Sequence, residues 1–321
     1  MNDVLLRLNN VHKYFHITKK TVVKAVNGLS LEMRRGEILG FVGESGCGKT
    51  TTGRLIVKLY NPDIGGIEFY GKNIWDFGKK ENLEYRKKVQ IIYQDPYASL
   101  DPLTVASDSI AEGLAIHKMY TGRKEKRERV IELLGMVGLN PEHANRFPHE
   151  FSGGQRQRLG IARALALEPE LVVCDEPISA LDVSIQAQVV NLLIKLKENM
   201  GLSYIFITHD LSMVRQISDR IAVMYLGSIV EMAPSSILYT RNKHPYTKAL
   251  LSAIPIPDPS IERNRKRILL TGDAPDPINL EDNCSFAGRC AYATDICREA
   301  KPALAELETG HFVACHYSQD M

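Results

Sequence analysis

The consecutive residues Gly43, Glu44, Ser45, Gly46, Cys47, Gly48, Lys49, Thr50 and Thr51 contain the phosphate-loop pattern G-x-x-x-x-G-K-[ST] with every fixed position filled. Glycines let successive backbone N–H groups curl round phosphate oxygens, and a helix starting near Lys49 adds its positive dipole end. In such a loop the Lys49 ammonium reaches the β- and γ-phosphates, and the Thr50 hydroxyl ligates Mg2+. Other positions extend triphosphate chemistry. The apolar run Leu171–Cys174 ends in Asp175 and Glu176; Asp175 suits the Mg2+ shell and Glu176 suits polarising a water for attack on the γ-phosphate. Gln94 ends the β-branched run Val89–Tyr93, where it could reach Mg2+ or the attacking water, or equally be a solvated strand end. Ser152, Gly153, Gly154 and Gln155 precede a strong helix former. Ser152 is a natural N-cap, and the glycines leave first-turn N–H groups open to an anion, a second phosphate-seeking helix end in one chain. His209 follows the buried run Ser203–Thr208. A lone histidine there is more often structural than catalytic, but three strands now end in polar groups at one edge, where open α/β sheets bind their ligands.

These residues need elements to hold them. Glu37–Val42 reads as a buried strand entering the loop and Thr51–Leu59 as the helix leaving it. Residues 4–35 alternate short apolar runs with polar turns and read as antiparallel strands. They include Tyr14 and Phe15, which by default are core aromatics but sit where an adenine could stack. Residues 67–74 read as a hairpin turning at Gly71–Lys72. From Ser99 to about Pro148 the pattern is helical, and the mixed-sign cluster 123–129 reads as a solvated helix face. The short turn Ser179–Asp182 then leads into a helix with Ile185, Val189, Leu192, Leu193 and Leu196 on one face. The fold class is α/β.

With 321 residues, 44% hydrophobic and 24% charged, the chain has the composition of an ordinary globular protein. A net charge of +2 supplies no concentrated basic footprint, so nucleic acid is not an expected partner. No stretch approaches the roughly 20 apolar residues that span a bilayer, and the first residues lack the apolar region of a signal peptide. A cytoplasmic chain that meets a membrane only through a partner protein is therefore expected. Cys284, Cys290, Cys297 and Cys315 crowd into the C-terminal end; in a reducing compartment such a cluster suggests metal rather than disulfides. Their spacings C-x5-C, C-x6-C and C-x17-C include no tight pair, which makes zinc the weaker choice.

Taken in order, Gly43–Thr50 (Walker A), Gln94 (Q-loop), Ser152–Gln155 (signature), Leu171–Glu176 (Walker B), Ser179–Asp182 (D-loop) and His209 (switch histidine) resemble the ATP-binding subunit of an ABC transporter over residues 1 to about 240. Phe151 replaces the leucine common before the signature. The resemblance implies a P-loop NTPase (RecA-like) core with an antiparallel β-subdomain and a helical subdomain at about 96–168. It also implies a head-to-tail dimer that traps ATP between one phosphate loop and the partner's signature helix. Ser152, Gly154 and Gln155 would then serve the partner's nucleotide, and Phe15, with Tyr14 the near alternative, would stack on adenine. His209 would contact the γ-phosphate, Gln94 would couple the site to membrane subunits, Glu176 would be the general base, and Asp182 would belong to the nucleotide interface.

Residues Tyr239–Pro255, with His244, Pro245 and Tyr246, are similar to the His-Pro-Tyr extension of oligopeptide and dipeptide importer ATPases. Gly43–Gly48 and Gln94–Pro102 look like the F-type subunit of the pair such importers use. This implies a small cysteine-containing extension over 241–321, a D-type ATPase partner, two transmembrane permease subunits and an extracytoplasmic solute-binding protein. It also implies a peripheral place on the cytoplasmic membrane face, and a [4Fe–4S] cluster on the four cysteines. Nickel or an oligosaccharide is the alternative solute. A soluble ABC ATPase of another process would carry a coiled-coil insertion, a zinc module or a second cassette, which this sequence lacks. Residues 254–259 read as a proline-rich linker with a charged border at 262–267.

Overall fold

The computed structural model describes residues 3–255, 258, 260, 267–270, 272, 275–278 and 280–319. Most of the expected linker and its charged border lies outside them. The chain divides into two compact units, one holding residues 34–37 and 72–207, the other residues 4–33, 38–71 and the described residues from 208 onward.

In the second unit, two long strands, Val4–His16 and Val22–Arg34, pair with Ile64–Phe69 into an antiparallel layer. Leu6 lies opposite Phe69 and Leu8 opposite Ile67, so the alternating apolar residues share the buried face. The reversal after this layer falls at Tyr70 and Gly71 (φ 51° and 74°), one residue earlier than Gly71–Lys72. Two consecutive left-handed residues supply the twist that a tight hairpin turn needs.

The phosphate-loop strand Ile38–Val42 is buried at all five positions and runs parallel to Arg220–Tyr225, with Gly40 opposite Ile221 and Val42 opposite Val223. Buried on both faces, such strands read as continuous apolar runs rather than alternating ones. Ser228–Pro234 adds antiparallel to Arg220–Tyr225, and His311–Val313 then adds to Ser228–Pro234, with Glu231 opposite Val313. Ala305–Glu308 closes the edge. The cysteine-bearing segment thus contributes two strands to the sheet that carries the phosphate loop.

In the first unit, Val89–Ile92, Leu171–Asp175 and Ser203–Ile207 form a parallel set, with Ile91 opposite Val173 and Cys174 opposite Phe206. The helices Ala106–Ile116 and Arg123–Met136 pack on Gly153–Leu165, burying Ile110, Leu114, Leu133, Leu134, Leu159 and Ile161. Helix begins only at Ala106, later than the expected Ser99. Pro102 and the Asp101 carboxylate, which accepts from Leu103 N and Thr104 Oγ1 at 2.9 and 3.0 Å, hold the preceding residues in turns. Residues 123–125 are exposed, as expected of a solvated face. Among the described residues no helix is long and apolar enough to cross a membrane.

Candidate functional site

Between Ile38–Val42 and the helix Lys49–Ile56 the chain must curl tightly. Gly48 stands at φ 104°, and a Cβ there would meet Ala25 O at 2.2 Å; only glycine fits. The loop is pinned by Gly227 N donating to Cys47 O at 2.9 Å and by Thr52 Oγ1 donating to Gly48 O at 3.0 Å. Lys49 is buried, and its ammonium donates to Gly43 O at 2.8 Å and Glu44 O at 3.0 Å. It is therefore folded inside the ring of backbone groups that a phosphate would enter. Ser45 and Gly46 are exposed at the loop's crest, while Thr50 and Thr51 are half-buried on the first helical turn.

Glu44 is held from two sides. Its N–H donates to Tyr246 Oη at 3.0 Å, and its carboxylate accepts from Arg289 Nη1 at 2.9 and 3.2 Å. Both partners come from the C-terminal segment.

Tyr14 and Phe15 are not core residues; both are half-buried. Tyr14 is tied down at both ends, its N–H donating to Asp63 Oδ2 at 2.6 Å and its phenol paired with His12 Nδ1 at 2.8 Å. Phe15 meets Tyr60 edge-on at 5.5 Å, with the Lys13 ammonium 5.6 Å from its centroid. His209 is exposed, immediately after Thr208, whose N–H donates to Phe41 O at 3.1 Å. Asp210 then caps the following helix, accepting from Ser212 N at 2.8 Å.

In the other unit, Gln94 Nε2 donates to Glu176 Oε2 at 3.0 Å, bringing two of the sequence-derived residues together across 82 positions. Glu176 has a left-handed backbone (φ 45°) and its N–H donates to Ile207 O at 3.0 Å. Non-glycine residues in that region cost strain, and they cluster at functional sites. Asp175 is buried at the end of its strand. Asp182 is exposed and takes the N-cap position of Val183–Met200, without capping through its side chain.

The Ser152–Gln155 turn forms a reciprocal capping box: Ser152 N donates to Gln155 Oε1 at 3.0 Å and Gln155 N to Ser152 Oγ at 3.4 Å. Ser152 and Gly153 remain exposed. At Gly154 a Cβ would meet Ile185 Cγ2 at 2.6 Å, so the helix end can approach its neighbour only without a side chain. Arg156, not singled out from the sequence, supports this turn. It donates to Pro148 O at 2.6 Å and His149 O at 3.2 Å, and stacks 3.6 Å over the Tyr97 ring. A basic residue just after the turn was the available signal; its aromatic partner 59 positions upstream was not.

All four C-terminal cysteines line one cavity, with His244, Phe286, Tyr292 and His316 among its other walls. Burial, joined by the neighbouring thiols, pushes Cys284 up to about 11, and burial also raises Cys290 and Cys315. Among the described residues no group of three or more His, Cys, Asp or Glu is drawn together tightly enough to hold a single metal ion. Beside the cavity the buried Glu231 carboxylate accepts from Lys243 N at 2.7 Å and His244 N at 3.0 Å, and pairs with His311 Nε2 at 2.8 Å.

Residues 26–179 match the ABC transporter family, and residues 230–297 match the oligopeptide/dipeptide transporter C-terminal region. The oligopeptide transport ATP-binding protein OppF of Bacillus subtilis is 54% identical over 316 residues, covering 98% of this chain and 97% of that protein. The oligopeptide transport ATP-binding protein AppF of the same organism is 50% identical over 321 residues, with 98% and 97% covered. Among solved structures, the dimeric post-hydrolysis state of the ATP-binding cassette MJ0796 bound to ADP and Pi is similar with a TM-score of 0.66. It is 30% identical, and the match covers 72% of this chain and 99% of that one.

Proposed function

This chain belongs to the ABC transporter family of ATPases, and on that premise we propose that it energises the uptake of di- and oligopeptides by hydrolysing ATP. The observation that carries the ATPase reading is the pairing of Gln94 with a strained Glu176 next to the buried Asp175. A carboxylate so restrained suits a base that takes one proton from one water. Lys49 would turn from the loop carbonyls to the β- and γ-phosphates, and Thr50, Gln94 and Asp175 would hold Mg2+, which when bound would neutralise phosphate charge. The water oxygen attacks the γ-phosphorus, Glu176 accepts its proton, and the bond to ADP breaks to release phosphate. His209 contacts the γ-phosphate and Phe15 stacks on adenine. Ser152, Gly153, Gly154 and Gln155, together with Asp182, face the nucleotide of a second ATPase subunit. The exposure of Ser152, Gly153 and Asp182 and the ADP-bound dimer of the similar cassette support that reading.

The peptide cargo is supported by the oligopeptide transport of the relatives OppF and AppF and by the C-terminal match. Its working assembly would pair this F-type chain with a D-type ATPase, two transmembrane permease subunits and an extracytoplasmic solute-binding protein, on the cytoplasmic membrane face. Residues 1–240 would act as the nucleotide-binding domain, with 96–168 its helical subdomain and 241–321 the extension. Substituting Glu176→Gln tests the ATPase assignment: turnover should fall by about 10²- to 10⁴-fold while ATP binding persists, and parent-like hydrolysis would move the base elsewhere.

Cys284, Cys290, Cys297 and Cys315 fit a [4Fe–4S] cluster as a set of four thiols round one cavity. Bound there, the cluster would supply a structural crosslink, with the four thiolates as its ligands. Anaerobically purified protein should contain iron and acid-labile sulfide at cluster stoichiometry; zinc alone would overturn the assignment.

A further inference from the structure

We propose that Arg289 is a positioning residue of the nucleotide site, holding the phosphate loop by neutralising Glu44. Glu44 is the second residue of a loop whose N–H groups wrap a triphosphate, so its carboxylate stands beside several negative charges. Like charges at close range in a partly buried site oppose binding. The Arg289 side chain is only 10% exposed, and its Nη1 lies 2.9 and 3.2 Å from the two Glu44 oxygens and 3.5 Å from Tyr225 Oη. A guanidinium keeps its charge at any physiological pH, and the Glu44 contact raises its pKa further above the ordinary value.

The arm that carries Arg289 is itself fixed. Phe286, three positions earlier, packs against Tyr225, Tyr246 and His244 at ring distances of 5.3, 5.5 and 5.7 Å. Tyr246 in turn takes the Glu44 N–H. Backbone and side chain of one loop residue are therefore both gripped by the C-terminal segment. Arg289 Nε is buried without a hydrogen-bond partner. A costly orphan of that kind is tolerated where the rest of the side chain is held for another purpose. Arg289 also immediately precedes Cys290, which ties the order of the cysteine cavity to that of the phosphate loop.

The inference rests on the loop binding ATP. Full-length chains carrying Arg289→Gln, Arg289→Lys, or Glu44→Gln together with Arg289→Gln would be titrated with a fluorescent ATP analogue and Mg2+, and their KM and kcat measured. Arg289→Gln should weaken nucleotide binding by about tenfold, the loss of one charge-assisted contact, with KM rising more than kcat falls. Arg289→Lys should stay within about threefold of the parent, since one nitrogen makes the contact and an ammonium can replace it. The double variant should recover most of the loss, because the carboxylate that needed neutralising is gone; lost packing alone would not be rescued so. Parent-like binding by Arg289→Gln, or a double variant as weak as Arg289→Gln, would overturn the proposal. If Arg289→Gln does not fold, the other two carry the test, and weak binding by either overturns it. A parent chain that binds no nucleotide would instead overturn the ATPase reading.

Discussion

A carboxylate serves as a base only if its direction survives the arrival of substrate, and Glu176 is directed by its backbone as much as by its side chain. The left-handed φ of 45° turns it out of line with the strand, Ile207 O fixes its N–H and Gln94 takes its carboxylate. Glutamine keeps that shape and can remain near Gln94, so Glu176→Gln should fold normally and lower turnover by about 10²- to 10⁴-fold, the usual worth of a general base. Steady-state phosphate release beside an ATP-binding titration checks this. At this scale the phosphate loop was legible because its requirements are local: glycines at fixed offsets, and a lysine that must follow them. Arg289 and Arg156 were not, because their meaning depends on Glu44, 245 positions away, and on Tyr97, neither of which any spacing rule connects to them.

Elements were legible where burial was continuous and blurred where turns intervened. The strands Ile38–Val42, Leu171–Asp175 and Ser203–Ile207 announced themselves as unbroken apolar runs, whereas the onset of helix at Ala106 depended on Asp101 side-chain hydrogen bonds that composition does not reveal. The helix Pro245–Ser252 begins on a histidine: His244 Nδ1 accepts from Tyr246 N at 3.1 Å. Burial holds the His244 pKa down to about 4, with the Glu231 carboxylate pulling the other way, and His311 shares that carboxylate. Between about 4 and its ordinary value of 6.5, the unfolded chain binds a proton that the folded chain refuses. Stability should therefore rise with pH across that window and be lost as pH falls through it. His244→Asn, which can still accept at the N-cap, should flatten this part of the urea-midpoint profile; identical profiles for both chains would remove His244 as the cause.

At the scale of the whole molecule, sheet order departs most from chain order. The strand Ser228–Pro234 is covered by His311–Val313, and that strand by Ala305–Glu308, although the intervening sequence reads as linker and cysteine tail. No periodicity in a three-residue strand could have announced the pairing. It has a consequence for biogenesis. A chain interrupted before Ala305 leaves Ser228–Pro234 as a naked rim of unpaired amides and carbonyls, and such rims recruit other chains. A version ending at residue 304 should accumulate in the insoluble fraction, while a separately supplied peptide spanning 305–319 should return part of it to solution. Translation must therefore run well past the last nucleotide-handling residue before the ATP-binding sheet is sealed, so that fragments carrying every recognisable motif are still delivered to quality control as unfinished goods.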